Sequence, residues 1–121
     1  MDVNTTMGPM CLPDTPDLLK QRVRDAINAG AHILAGGTSR EDESGMGRFF
    51  APTLIADVDD TMDLFRLENF GPIVSVTPVK SEEEAIVRMN TNTQGISNAI
   101  YTKDRDLALR MAYKLQSGTV Y

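Results

Sequence analysis

Cysteine and histidine are almost missing from this 121-residue sequence, which has one of each, Cys11 and His32. One cysteine makes neither an internal disulfide nor a multi-cysteine metal site, and one imidazole nearly excludes metal chemistry built on histidine and thiolate. No HExxH, GxxxxGKS/T or GxGxxG string occurs, which argues against zinc hydrolysis, a P-loop and a self-contained dinucleotide site. Basic clusters are missing too. Twelve Lys and Arg stand against 17 Asp and Glu, a formal net charge of −5. Nothing here would displace counterions from phosphates, so no nucleic-acid partner is expected. No apolar run approaches the roughly 20 residues that cross a bilayer. Asp2 stands where a signal peptide carries positive charge, and no apolar h-region follows. A reducing, cytoplasmic setting without a membrane partner is the expectation.

What is present suits one compact soluble domain, with 41% hydrophobic and 24% charged residues spread along the chain. Residues 1–15 hold Gly8-Pro9 and Pro13-Asp14 without a hydrophobic period and read as an extended lead-in. Thr15 is placed to cap a helix with Pro16 at its first position. Leu18, Leu19, Val23, Ala26 and Ile27 recur at helical spacing, and Gly30 stands at the C-terminal end. Residues 31–34 read as a short buried strand turning at Gly36-Gly37. Residues 38–48, charged and rich in Gly and Ser, read as a mobile surface loop. Residues 49–58 return to β-formers, with Pro52 marking an edge or a strand start, and residues 60–68 predict one or two helical turns.

Residues 73–79 alternate β-branched side chains and predict a strand. Ser81 with Glu84 forms a capping-box signature ahead of Ala85, Ile86 and Met89. A strand is expected at residues 98–101. A helix then follows from about 104 to 116, with Leu107, Ala108, Met111, Ala112 and Leu115 on one stripe. Gly118 closes it before a last strand at residues 119–121. Strand, helix, strand, helix, strand is the order of consecutive βαβ units, so the fold class expected is α/β with parallel strands.

The string Arg66-Leu67-Glu68-Asn69-Phe70-Gly71-Pro72-Ile73 resembles a motif of aldehyde dehydrogenases, in which two acidic residues and any residue precede Phe-Gly-Pro and an aliphatic. Other blocks agree in order and spacing: Met7-Gly8-Pro9, Leu34-Ala35-Gly36-Gly37, Phe50-Ala51-Pro52-Thr53-Leu54-Ile55, and Glu83-Glu84-Ala85-Ile86 with Asn90 and Gly95. The resemblance covers nearly the whole chain. It implies an oxidoreductase in which a cysteine thiolate attacks an aldehyde, hydride passes to the nicotinamide of NAD or NADP, and the acyl group leaves as a carboxylic acid. It also implies cofactor contacts for two residues: Glu68 to the nicotinamide-side ribose and Phe70 beside the nicotinamide ring. An ionised carboxylate accepts pairs of hydroxyl hydrogen bonds, and residues two apart on an extended segment point the same way. Leu67 departs from the pattern, standing where the first acidic residue is usual.

In that family the nucleophilic cysteine, the general-base glutamate and the dinucleotide-binding domain precede the Met-Gly-Pro block, which here begins at residue 7. Cys11 follows the block and does not match the nucleophile. The resemblance therefore implies that residues 1–121 are a partial catalytic domain, trimmed at both ends and inactive alone. No catalytic residue is assigned, and no cofactor is expected to bind this chain tightly by itself. A non-catalytic α/β association domain, pairing exposed strands with a partner or in a homo-oligomer, stays open as the alternative. The carboxylates Asp57, Asp59, Asp60 and Asp63 lack the Gly and terminal Glu of an EF-hand loop and read as a solvated acidic edge.

Overall fold

A computed structural model describes residues 4, 6–40, 47–92 and 94–121 of the chain. The first helix, α1 (Thr15–Asn28), begins one residue earlier than expected: Asp14 is its N-cap and Thr15 lies inside the first turn, buried together with Pro16. No side chain caps this end, so burial of the first turn holds it. The other end closes as a Schellman motif. The Ala31 N–H reaches the Ala26 carbonyl at 2.9 Å and the Gly30 N–H reaches the Ile27 carbonyl at 3.0 Å, with Gly30 at φ +111. Of the helical stripe, Leu19, Val23 and Ala26 are buried, whereas Leu18 and Ile27 are exposed.

Among the described residues, seven short strands follow in three sheets. β1 (His32–Ala35), β4 (Thr53–Ala56) and β5 (Ile73–Val76) form one sheet with β4 in the centre, β1 antiparallel and β5 parallel to it. β2 (Ser39–Arg40) pairs antiparallel with β3 (Phe49–Phe50). The loop expected over residues 38–48 therefore holds a short strand at Ser39–Arg40, with β3 beginning just after it where β-formers were expected, and residues 41–46 lie outside the described residues. Pro52 marks a strand start, as its missing N–H demands: it separates β3 from β4.

β1 corrects the reading of a buried strand. All four of its residues are exposed, including Leu34 at 60%, because β1 is the antiparallel edge and only Ala31 ahead of it enters the core. The core lies on the other side of β4. Leu19, Val23 and Ala26 of α1 meet Phe50, Ile55 and Val58, and Leu64 of the single-turn α2 (Asp63–Arg66) with Met62, its N-cap, completes the cluster. Fully burying each large aliphatic contributes roughly 1.5–3 kcal/mol.

The remaining elements are α3 (Glu82–Thr91), β6 (Ser97–Asn98), α4 (Arg105–Ala112) and β7 (Thr119–Val120). Ser81 Oγ accepts from the Glu84 N–H at 3.2 Å, while Glu84 Oε2 accepts from the Lys80 N–H at 2.8 Å. The capping box thus closes one residue further back than its usual form. Asp104 caps α4 by accepting from the N–H groups of Asp106 and Leu107, both at 3.0 Å. β6, α4 and β7 form a parallel βαβ unit, so the α/β class with parallel strands holds. The preceding step does not: β5 pairs with β4 and β6 with β7. A hollow of about 520 Å³ lined by Ser75 and Thr77, by Arg88 and Met89 of α3, and by Asn98 of β6 lies along the β5 side.

Candidate functional site

The acidic-aromatic string leaves α2 at Arg66 and enters β5 at Ile73. Between them, residues 67–72 belong to neither helix nor strand. The Leu67 N–H still bonds the Asp63 carbonyl, at 3.0 Å, and the Thr53 N–H takes the Pro72 carbonyl at 2.8 Å. At the centre the chain folds tightly, the Gly71 N–H donating to the Asn69 carbonyl at 2.8 Å.

Exposure alternates along this segment. Glu68 is exposed, Asn69 is half-buried, and Phe70 is 70% exposed. Asn69 turns inward: its Nδ2 donates to the Leu64 carbonyl at 2.7 Å and its Oδ1 accepts from Arg22 Nη1 at 2.9 Å. The same Arg22 nitrogen donates to the Glu68 carbonyl at 2.7 Å. Gly71 sits on Leu19, where a Cβ would collide with the Leu19 Cδ1 atom. One helix, α1, therefore carries the segment at two successive turns, through Leu19 and Arg22.

Phe70 also lines a small hollow of about 120 Å³ with Pro9, Met10, Cys11, Leu12 and Thr15. The lead-in is tied down there by the Met10 N–H, which donates to the Arg48 carbonyl at 2.7 Å. Cys11 is exposed. His32 sits on the edge strand, its Nδ1 3.2 Å from Asp57 Oδ2, both side chains solvent-facing. Asp57 takes φ +59 at the end of β4, a conformation that Asp tolerates better than most residues. Among the described residues no three His, Cys, Asp or Glu side chains group to hold a metal ion. Asp59 instead accepts from the Thr61 hydroxyl and backbone N–H, at 2.6 and 2.9 Å.

The Glu68 carboxylate enters no hydrogen bond or ion pair among the described residues. A free, exposed carboxylate two residues from an exposed aromatic offers acceptors for a pair of hydroxyls and an apolar wall for a flat ring. The donor set of a nicotinamide riboside fits those two groups chemically. Arg22 and Asn69, which hold the segment, were not legible as site residues. Their only signal was a charged residue three positions after Leu19, beside the buried stripe of α1, where an Arg needs a partner.

The model of the aldehyde dehydrogenase family matches residues 1–121. Succinate-semialdehyde dehydrogenase [NADP(+)] of Deinococcus radiodurans is 36% identical over 120 residues, covering 99% of this chain and 24% of that protein. Retinaldehyde dehydrogenase 3 of Homo sapiens is likewise 36% identical, covering 99% of this chain and 23% of its own length. Among solved structures, betaine aldehyde dehydrogenase from Staphylococcus aureus in complex with NAD+ superposes with a TM-score of 0.85 at 36% identity, over 99% of this chain and 24% of that one. The chain thus spans about a quarter of the length of the relatives it matches. With its α/β fold, its acidic-aromatic segment and its full-length match, the chain belongs to the aldehyde dehydrogenase family.

Proposed function

We propose that residues 1–121 are a partial catalytic domain of an NAD(P)-dependent aldehyde dehydrogenase. In this reading they supply part of the catalytic-domain sheet and the contact to the nicotinamide end of the cofactor, but not the nucleophile or the dinucleotide-binding domain. The observation that carries the reading is the alternation at the motif, Glu68 outward, Asn69 inward and Phe70 outward, within a sequence aligned to the family from end to end. Glu68 accepts the ribose hydroxyls, and Phe70 bounds the ring on one side. When bound, NAD(P) supplies the hydride acceptor for aldehyde oxidation. The chain's own residues orient that group: the carboxylate sets the sugar, and the segment on α1 sets the carboxylate. The substrate class is an aldehyde. The acidic charge and the lone exposed cysteine suit a cytoplasmic setting.

Two measurements on the chain test this. With an aldehyde and NAD+ or NADP+, the chain alone should give no turnover, and turnover lost on Cys11→Ser would overturn the assignment of Cys11 as a bystander. In a titration with NAD+ at millimolar concentration followed by NMR, weak shifts should centre on residues 68 and 70 and disappear in Glu68→Gln. Shifts that persist unchanged in that variant would remove Glu68 from the site.

A second reading, a non-catalytic domain that works by association, is favoured by one surface. On the face of the sheet turned away from the core, Val74 is 62% and Val76 48% exposed beside Leu54 and Ala35. Sheets that contain parallel strands are usually covered on both faces, and a second copy of the chain is one cover.

A further inference from the structure

We propose that Arg22 is a positioning residue. In concert with Asn69 it locks the segment carrying Glu68 and Phe70 in one projection, and so decides where the carboxylate and the aromatic face point. The inference rests on the cofactor reading of Glu68 and Phe70, and adds to it a residue more than forty positions away in sequence.

The first argument is what the segment lacks. Residues 67–72 have neither a helix nor a strand ladder through them. The backbone bonds at their ends, from Leu67 back to Asp63 and from Thr53 to Pro72, fix where the segment begins and stops. Within it the Gly71 and Ile73 N–H groups close tight turns onto the Asn69 and Gly71 carbonyls, but no backbone bond among the described residues holds the Glu68 carbonyl or the Glu68 and Asn69 N–H groups. A chain of that kind can turn by one residue, which would send Asn69 outward and bring Glu68 or Phe70 in.

Arg22 removes that freedom because its Nη1 bonds two consecutive residues through different groups, the main-chain carbonyl of Glu68 at 2.7 Å and the side-chain Oδ1 of Asn69 at 2.9 Å. The amide orientation of Asn69 has a single solution. Arginine only donates, so it must face Oδ1, and the Leu64 carbonyl only accepts, so it must face Nδ2, at 2.7 Å. Reversing the amide would set donor against donor at one end and acceptor against acceptor at the other. Arg22 and Asn69 are both half-buried, where bonds to an ionised donor are stronger than neutral ones. With the Glu68 carbonyl drawn toward α1, its side chain leaves on the solvent side, and Phe70 follows two residues later. Leu19 beneath Gly71 blocks the segment from sinking toward the helix.

The test is made on the 121-residue chain by amide hydrogen exchange and NMR, with Arg22→Ala, Arg22→Lys, Asn69→Ala and the Arg22→Ala/Asn69→Ala double variant. Exchange at the Gly71 amide should rise about tenfold in each alanine variant, the scale set by losing one charge-assisted hydrogen bond. The double variant should be no worse than the singles, since both remove the same clamp. Lysine should restore part of the protection, because its ammonium still donates. The amides of Ile55 and Val23 should keep their rates. Gly71 rates within twofold of the parent, or core amides accelerating in parallel, would overturn the proposal, the second outcome reducing Arg22 to general stability. A parallel NAD+ titration separates the two claims. Shifts at residues 68 and 70 that vanish in Arg22→Ala and return in Arg22→Lys support positioning. Loosened alanine variants in a chain whose parent shows no NAD+ shift would sink the ribose assignment of Glu68 while the hold of Arg22 on the segment stands.

Discussion

Gly71, in the middle of the acidic-aromatic segment, rests directly on Leu19, a fully buried residue of α1. The motif is thereby joined to the core without an intervening side chain, and only a residue with no Cβ permits that approach. Gly71→Ala should destabilise the chain by about 1–3 kcal/mol through overpacking. In a Leu19→Ala background, which by itself should cost roughly 2–5 kcal/mol, the added methyl has room and its penalty should shrink. Urea denaturation of the four proteins decides this, and strictly additive costs would mean that the two residues do not press on one another.

The two capped helices should respond unequally to loss of their caps. Ser81 accepts one backbone N–H at 3.2 Å, whereas Asp104 accepts two at 3.0 Å and adds a negative charge at the helix N-terminus. Ser81→Ala should cost about 1 kcal/mol and Asp104→Ala somewhat more, both within the usual range for lost caps. Thermal melts compare them. Equal stability of Asp104→Ala and the parent would show that the α4 end is held by other contacts.

Acid should weaken the fold through three carboxylates, Asp59, Glu83 and Glu84. The Thr61 hydroxyl, then its N–H, hold Asp59 below its ordinary value of 3.8. A backbone N–H of its own residue and then Ser81 lower Glu83, and the Lys80 N–H followed by Arg88 lowers Glu84, both from 4.5. A depressed folded-state pKa means that the unfolded chain takes up protons first. The stabilisation is therefore complete above pH 4.5 and is lost as pH falls through the lower folded values. Urea midpoints followed downward from neutral pH should decline in that window, with a shallower decline in Glu84→Gln. An identical slope in that variant would exclude Glu84 as a contributor.

The bare sheet face predicts association. Light scattering after size-exclusion chromatography should show the mass rising with concentration, and Val76→Lys should abolish the rise without lowering the melting temperature, since Val76 is already 48% exposed. A strict monomer at every concentration would remove the association reading.

Much of the secondary structure was readable because its signals are local. The α3 box needs only Ser81 and Glu84, three residues apart, and the end of α1 needs only a glycine that accepts positive φ. The order of the unit β6, α4, β7 was readable, but the strand expected at residues 98–101 pairs only at Ser97–Asn98 and the helix expected to reach about residue 116 ends at Ala112. The misreadings concern partners. His32-Ile33-Leu34 looks like a buried strand because apolar content measures the tendency to be covered, but β1 lies at the edge of its sheet. Ser39–Arg40 reads as loop because two residues carry no period, and is strand only by meeting Phe49–Phe50.

The same division runs through the site. The order of residues along the chain was enough to bring Glu68 and Phe70 forward as a pair and to place them in a family, since a motif is a pattern of neighbours. Whether both side chains leave on the solvent side depended on Arg22, 46 residues from Glu68 and brought to it only when α1 packs against α2. Burial, sheet membership and the hold on a segment without regular structure are properties of distant surfaces meeting, and the covalent order of residues does not encode them one neighbour at a time.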